Sequence, residues 1–262
     1  MDGAREAGGR ELSSGSITIN VAPAESPGTV KVEVALADPN DPISSIIVSV
    51  LPDNVTASAA AASLTVAGLG AQTTHTFSVK ATTIAGSVLF ATTAPLAFYD
   101  VVETFIEPQC ESNTLFSGSF TFDKQNGTVS NLRGTLTEAM HAGPAKVSLA
   151  FQLSTQAVSL GGASGLLIAT FALDTTDTFA EGGFAPGGSK TYGNRNAYAL
   201  VFVNTTDPTA SLTPDQINWL AYADCTSDGL MGKTCMTGTS TAAYGRTGAM
   251  GAYPASQITT QR

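Results

Sequence analysis

The sequence predicts an all-β protein, with one β-sandwich followed by a larger β-sandwich that carries one short helix. Short segments that alternate apolar and polar residues recur along the N-terminal part, and turns rich in Pro, Asp and Asn separate them. Hydrophobic residues make up 43% of the 262-residue chain, enough for a substantial core. Further along, residues 165–173 and 197–203 are nearly continuous apolar runs, which is typical of strands buried on both faces.

The N-terminal part contains regularly spaced candidate strands. The segments with the expected alternation are 17–21, 30–36, 43–51, 63–66 and 74–81. Regular spacing of short strands between turns is typical of a sandwich. Residues 1–14 lack the apolar stretch of a signal peptide, and their composition predicts a disordered leader.

Residues 63–86, SLTVAGLGAQTTHTFSVKATTIAG, resemble the second half of a fibronectin type III domain. The pieces S-L-T-V-x-G-L, T-x-H-x-F-x-V and A-T-x-x-A-G correspond to a strand end, a core strand and the turn into the last hairpin. The resemblance covers about residues 15–97 and implies a sandwich in an extracellular modular protein. Val34 stands where the family has a Trp, and His75 where it has the Tyr of the tyrosine corner. The family implies no chemistry, because such sandwiches are mostly spacers or binding surfaces.

Residues 98–262 are predicted to form the larger β-rich domain. In a strand at 115–122 the three phenylalanines share one face, and the turn DKQNG leads into a returning strand at 128–136. Residues 146–153 alternate cleanly and predict another strand. The segment 116–136 is similar to β-modules of exported bacterial cell-surface proteins. That likeness implies a location rather than an activity.

One helix is predicted at 214–224. Thr213 and Gln216 have the spacing of a capping box, and a Pro occupies the first helical position between them. Apolar residues follow at helical spacing. We expect the helix to pack Trp219 or Tyr222 against a sheet.

Charge and composition narrow the classes of partner. Charged residues are only 13% of the chain, about half the usual ~25%, and the net charge is −9. Without a Lys/Arg cluster to displace counterions from phosphates, the sequence argues against nucleic acid. The apolar runs are too short to cross a bilayer as helices. The expected partners are an extracellular polymer, a cell-surface component, or copies of the chain itself.

The cysteines predict one disulfide. Cys225 and Cys235 enclose the Gly-containing loop TSDGLMGKT, and in an exported protein a disulfide is the default interpretation. Cys110 is then left over. The alternatives are a metal site made by the cysteines with His141, or a Cys110 nucleophile. The cysteine spacing lacks the tight pair of zinc sites, so no metal is predicted, and no cofactor either.

Catalytic motifs are incomplete. A serine hydrolase would need His141 as its base, but GGASGL at 161–166 ends in Leu where the G-x-S-x-G motif has Gly. The loop at 183–191 has Ser in place of the first residue of the G-K-T of a phosphate loop. Carboxylates near predicted strand and helix ends could form a glycosidase pair or bind calcium, although solvated turns are favoured. They are Asp174, Asp177, Glu181, Asp207, Asp224 and Asp228.

The sequence therefore favours a non-catalytic extracellular surface, matrix or adhesion protein. A related version is self-assembly, because a Ser/Thr/Ala-rich surface with few charges protects exposed strand edges poorly. The alternative is a secreted hydrolase that acts on an extracellular polymer, with the fibronectin-like domain as its accessory. In that case His141, Asp174 and Asp177 are the candidate catalytic residues.

Overall fold

A computed structural model describes residues 16–37, 40–108, 110–142, 147–153, 155–157, 161–162, 165–171, 195–226, 236–239 and 252–262. Within these ranges the chain is almost entirely β, with antiparallel sheets and one short helix. The predicted all-β class is therefore confirmed. The predicted leader lies outside the described residues.

The N-terminal strands form two facing sheets, which we call the first sandwich. Its strands are β1 (Ile17–Pro23), β2 (Thr29–Leu36), β3 (Ile43–Leu51), β4 (Val55–Ala59), β5 (Ser63–Ala67), β6 (Thr76–Thr83) and β7 (Val88–Thr92). One sheet has the order β1-β2-β5 and the other β4-β3-β6-β7, and all pairs are antiparallel.

The core of the first sandwich is built from alternate residues of these strands. In β2 every second side chain is buried, and β3 and β6 show the same pattern, because successive side chains of a strand point to opposite faces. Val34 and His75 are both buried in this unit.

The remaining strands form the second sandwich. They are β8 (Leu96–Ile106), β9 (Thr114–Asp123), β10 (Thr128–Ala142), β11 (Val147–Leu153), β12 (Thr155–Ala157), β13 (Gly161–Gly162), β14 (Gly165–Phe171), β15 (Arg195–Val203), β16 (Ala221–Thr226), β17 (Met236–Thr239) and β18 (Tyr253–Gln261). A five-stranded sheet has the order β11-β10-β9-β8-β18. A six-stranded sheet has the order β12-β14-β15-β16-β17, with β13 also paired to β14.

Aromatic side chains fill the second core. Phe116, Phe120 and Phe122 of β9 are buried together with Phe202 and Tyr222 of the facing sheet. The prediction that the three β9 phenylalanines share the buried face is confirmed. This core and that of the first sandwich are separate clusters.

The helix is shorter than the sequence predicts. α1 spans Pro214–Ile217, and the capping box is present: Gln216 N donates to Thr213 Oγ1, and Thr213 N donates to Gln216 Oε1. The prediction of a helix to 224 is wrong, because Ala221–Thr226 pairs with β15 as strand β16. That pairing fully buries Tyr222, whereas a helix this short has little stability of its own.

The chain crosses from one sandwich to the other inside β8. Its residues Ala97, Tyr99 and Val101 belong to the second core, while Phe98 points the other way into the first core. A bridge between His75 and Leu96 joins the start of β8 to the first sandwich. One strand is thus shared by both cores.

Candidate functional site

A cleft of about 920 Å³ lies between the two sandwiches. Its floor is the outer face of β8, β9, β10 and β11. Its wall is the turn between β1 and β2, together with Lys31 of β2 and Thr65 of β5. A groove between two packed units is a common place for a ligand to bind.

The floor carries a row of side chains that crosses four strands. Val102 lies opposite Ser117, and Ser117 opposite Thr135. Thr135 in turn lies opposite Gln152, whose Nε2 donates to Thr135 Oγ1 at 2.9 Å. Opposed residues share a face of a sheet, so the hydroxyl groups of Ser117 and Thr135 and the amide of Gln152 lie along one line, with the apolar Val102 at its end.

Two opposed glycines keep the floor close to the ring beneath it. Gly118 and Gly134 pair across β9 and β10. A Cβ at Gly134 would lie 2.4 Å from the Ser117 carbonyl oxygen, and a Cβ at Gly118 would lie 2.6 Å from the Phe116 ring. Only glycine lets the strands and the ring approach this closely.

Two arginines hold the corner where floor and wall meet. Arg262 contacts the Asp100 carboxylate through Nε at 2.7 Å and Nη2 at 2.6 Å. Its Nη1 donates to Ala24 O, and Arg133 Nη2 donates to Pro23 O. The guanidinium groups thus bind the turn between β1 and β2 to the five-stranded sheet.

Further hydrogen bonds join the two sandwiches on both sides of this corner. Thr121 Oγ1 and Asn131 Nδ2 donate to Val21 O at 2.8 and 2.9 Å. Gln261 Nε2 donates to Thr73 O at 3.1 Å. These contacts, with the shared strand β8, fix the wall of the cleft relative to its floor.

A buried carboxyl lies beneath the floor. Glu103 is fully buried, and neither of its oxygens has a hydrogen-bond partner among the described residues. Burial raises the pKa of Glu103 well above its usual range. Its neighbour Val102 lines the cleft, so the carboxyl points to the opposite face of the sheet and cannot reach a ligand on the floor.

Glu107, at the end of β8, is buried with two hydroxyl groups. Its Oε1 accepts hydrogen bonds from Thr114 Oγ1 at 2.9 Å and from the Tyr222 hydroxyl. Burial raises the pKa of Glu107, and these two hydrogen bonds partly offset the shift. Thr114 Oγ1 also accepts the amide of Ala139 at 3.0 Å, which joins three strands at this end of the sandwich.

His75 lies between a carboxylate and a hydroxyl, the group types of a hydrolytic triad. Its Nδ1 is 2.9 Å from Asp53 Oδ2, without an aligned hydrogen bond, and its Nε2 is 3.1 Å from Thr73 Oγ1. The Thr73 hydroxyl donates to Gly70 O, and the imidazole stacks on Phe98. The adjoining cavity of about 10 Å³ admits at most about one water, so the cluster supports the core.

The described residues do not test the predicted catalytic set, which stays a prediction. His141 lies on β10 opposite Ser148, but its side chain is outside the description. Asp174 and Asp177 lie outside the described residues, as do Glu181 and Asp228. Asp207 is in a turn, as expected, where it accepts hydrogen bonds from Thr209. Asp224 lies within β16, and its side chain is not described.

The predicted disulfide stays a prediction. Cys225 lies on β16 opposite Asn196, and its side chain is not described. Cys235 lies outside the described residues. The Cys110 amide donates to Glu107 O in the loop between β8 and β9.

The sequence analysis missed the cleft and the buried carboxyls. Glu103 and Glu107 share the period-two phase of Tyr99, Val101 and Phe105, which are buried. This alternation could have predicted that both carboxyl side chains point into the core. The cleft had no such signal, because residues far apart in the chain form it.

Comparison of the chain with protein-family models, with curated proteins and with solved structures gave no match. Among the described residues, no helix has the length and apolar character needed to cross a membrane. Nor do three or more His, Cys, Asp or Glu side chains come together there as a candidate metal site.

Proposed function

We propose that the protein is a non-catalytic extracellular surface, matrix or adhesion protein that binds an extended polymer in the cleft between its sandwiches. The observation that carries the proposal is the row of hydroxyl and amide side chains Ser117–Thr135–Gln152 on the cleft floor, which the apolar Val102 continues onto β8. A line of hydrogen-bonding groups across three strands, with an apolar residue at its end, suits a chain-like ligand that repeats its own donors and acceptors.

The charged groups of the cleft favour binding over catalysis. Among the described residues that line the cleft there are two carboxylates: Asp100, which is engaged by Arg262, and Glu25, which lies in the exposed turn of the wall. The buried Glu103 is on the other side of the sheet. Acid–base hydrolysis commonly uses a pair of titratable groups at the ligand, and Glu25 has no imidazole or unengaged second carboxylate beside it among the described lining residues.

The architecture of the first sandwich supports the extracellular, modular part of the proposal. A three-stranded and a four-stranded antiparallel sheet, built from consecutive short strands, agree with a fibronectin type III-like domain at about 15–97. Residues 98–262 then form a second module, of the kind found in exported bacterial surface proteins, and the cleft lies where the two modules meet.

A polymer-binding assay tests this function. The purified full chain is sedimented with insoluble cellulose, chitin, peptidoglycan and collagen. Thr135→Trp places a bulky ring on the floor, and we expect it to weaken binding by at least about tenfold, or about 1.4 kcal/mol. Ser78→Trp, on the exposed outer face of the first sandwich, is the matched control and should bind normally.

Equal binding by both variants would show that the cleft is not the site. The hydrolase alternative predicts something different: release of soluble products that stops in His141→Ala or in the Asp174→Asn, Asp177→Asn double variant. Such turnover would overturn the non-catalytic proposal.

A further inference from the structure

Strand β7 is an open edge of the four-stranded sheet of the first sandwich. Among the described residues, the sheet order β4-β3-β6-β7 leaves β7 hydrogen-bonded on one side only, and a groove of about 400 Å³ separates its end at Ala91 and Thr92 from β1. Its sequence, Val88-Leu89-Phe90-Ala91-Thr92, contains neither a charged residue nor a proline. Proteins usually protect exposed edges with such residues, so β7 is an unprotected pairing surface.

Two hydrogen bonds establish which backbone groups face the open edge. Thr83 N donates to Ser87 O, and Thr93 N donates to Phe77 O, both at 3.0 Å. In an antiparallel pair, hydrogen-bonded residue pairs alternate with non-bonded ones. With the observed register, the amide and carbonyl groups of Leu89 and Ala91 face β6. Those of Val88, Phe90 and Thr92 therefore point outward.

The side chains at this edge are also exposed. Phe90 is 73% exposed and Val88 is 46% exposed. Both lie on the outer face of the sheet, where Phe90 is opposite Lys80 and Lys80 is opposite Ile47. A partner that covers the Phe90 ring would bury a large apolar area and so contribute to the free energy of association.

We propose that two copies of this chain pair through their β7 strands, antiparallel, about a two-fold axis at Phe90. In that register Phe90 meets Phe90 of the second copy, and Val88 meets Thr92. Every backbone N–H and C=O that these three residues direct outward then has a partner. An axis at Leu89 would place Thr92 opposite Gly86, before β7 begins.

The β7 strand is self-complementary, and for this reason we expect a second copy of the chain to pair with it. A two-fold axis presents the same surface on both partners, and an uncharged strand meets no like charge directly opposite. The two Phe90 side chains lie on the same face and cover each other. The two four-stranded sheets become one continuous sheet. The inference does not depend on the cleft or on its ligand.

Sedimentation velocity of the full chain, without any polymer, tests the pairing. We expect the wild type to dimerise as its concentration approaches millimolar. Phe90→Lys places two like charges opposite each other and should give a monomer. Ile47→Lys adds the same charge to the same face two strands further in, and it should still dimerise. A wild type that stays monomeric overturns the proposal, and so does a dimer that Ile47→Lys abolishes and Phe90→Lys does not.

Two further variants test the backbone pairing and its register. Thr92→Pro removes an outward N–H, which an edge strand tolerates, and should weaken the dimer at least about tenfold relative to Thr92→Ala. Phe90→Cys should form an intermolecular disulfide, because bonded antiparallel residues have Cα atoms about 5.5 Å apart. Lys80→Cys should not, since the two copies of that residue lie on the order of 15 Å apart.

Cross-linking through Lys80→Cys but not Phe90→Cys would overturn the register, and equal dimerisation of Thr92→Pro and Thr92→Ala would overturn the pairing. Thr135→Trp separates this inference from the proposed function. It should dimerise like the wild type whether or not it binds a polymer.

Discussion

The two sandwiches treat their buried polar groups differently. In the first, His75 Nε2 is hydrogen-bonded to Thr73 Oγ1, the imidazole stacks on an aromatic ring, and Nδ1 faces the Asp53 carboxylate at 2.9 Å without an aligned hydrogen bond. In the second, Glu103 is just as deeply buried, but both of its oxygens lack a hydrogen-bond partner among the described residues. A buried polar group costs little when it is satisfied and about 1–3 kcal/mol or more when it is not.

The difference is therefore one of degree: His75 has one hydrogen-bonded nitrogen, whereas Glu103 has no hydrogen-bonded oxygen among the described residues. The first sandwich places its polar residue at its periphery, where the loop residues Asp53 and Thr73 can reach it. The second places Glu103 in the middle of β8, opposite Phe116 and Gln257. The Gln257 side chain is engaged with the backbone of Phe202, so it does not satisfy the carboxyl.

The largest expected effect comes from Phe98, the β8 residue that belongs to the first core. It is buried against His75 and Phe77, with ring centroids 5.8 and 6.1 Å away. Phe98→Ala should lower the free energy of unfolding of the first sandwich by about 3–5 kcal/mol, because a large cavity remains. Hydrogen exchange of amides in β3 and β6, compared with those in β9, measures it.

Val102→Ala is the matched control for this prediction. Val102 lies on the same strand and the same face as Phe98, but it is 41% exposed on the cleft floor. It should change stability by less than about 0.5 kcal/mol. Equal losses from both variants, or faster exchange in β9 than in β3 and β6, would show that Phe98 does not anchor the first core.

A smaller effect of opposite sign is expected at Glu103. Glu103→Leu removes a buried carboxyl that has no hydrogen-bond partner among the described residues, and it should raise the free energy of unfolding at neutral pH by about 1–3 kcal/mol. Glu103→Gln should gain less, since its amide also lacks a partner. Denaturant titration of the three proteins measures both differences, and a loss of stability in Glu103→Leu would contradict the assignment.

Glu103 should also make the free energy of unfolding depend on pH. Folding raises the pKa of Glu103 above its ordinary value of 4.5, so the folded protein holds the proton more tightly than the unfolded chain. Its contribution to stability is complete below about that value and declines as the pH rises through the pKa of the folded state. Glu103→Gln should therefore gain stability relative to the wild type as the pH rises. A difference that stays constant over pH would refute the shift.

The sequence predicted strands where period-two alternation is clear, as in Ile43–Leu51, because that alternation directly reflects which face is buried. It did not predict β4, β7, β8 or β18. It failed after Ile217, where helical spacing and strand pairing compete over the same residues and burial of Tyr222 decides. The capping box was readable because it is local. The cleft depends on Arg262 reaching Ala24, a contact between the two ends of the described chain that no local pattern encodes.

The smallest expected effect tests whether His75 is in fact better satisfied than Glu103. Asp53→Asn keeps the shape of the side chain but removes the charge facing His75 Nδ1, 2.9 Å away. We expect it to lower the free energy of unfolding by at most about 0.5–1.5 kcal/mol, the net contribution of a fully formed hydrogen bond, because this contact is not aligned as one. In a His75→Phe background the same substitution should cost almost nothing, because the partner is gone. Denaturant titration of the two single variants and the double variant isolates the coupling between these residues. If Asp53→Asn costs the same in both backgrounds, the carboxylate does not stabilise the imidazole, and Thr73 is left as the one side chain among the described residues that satisfies His75.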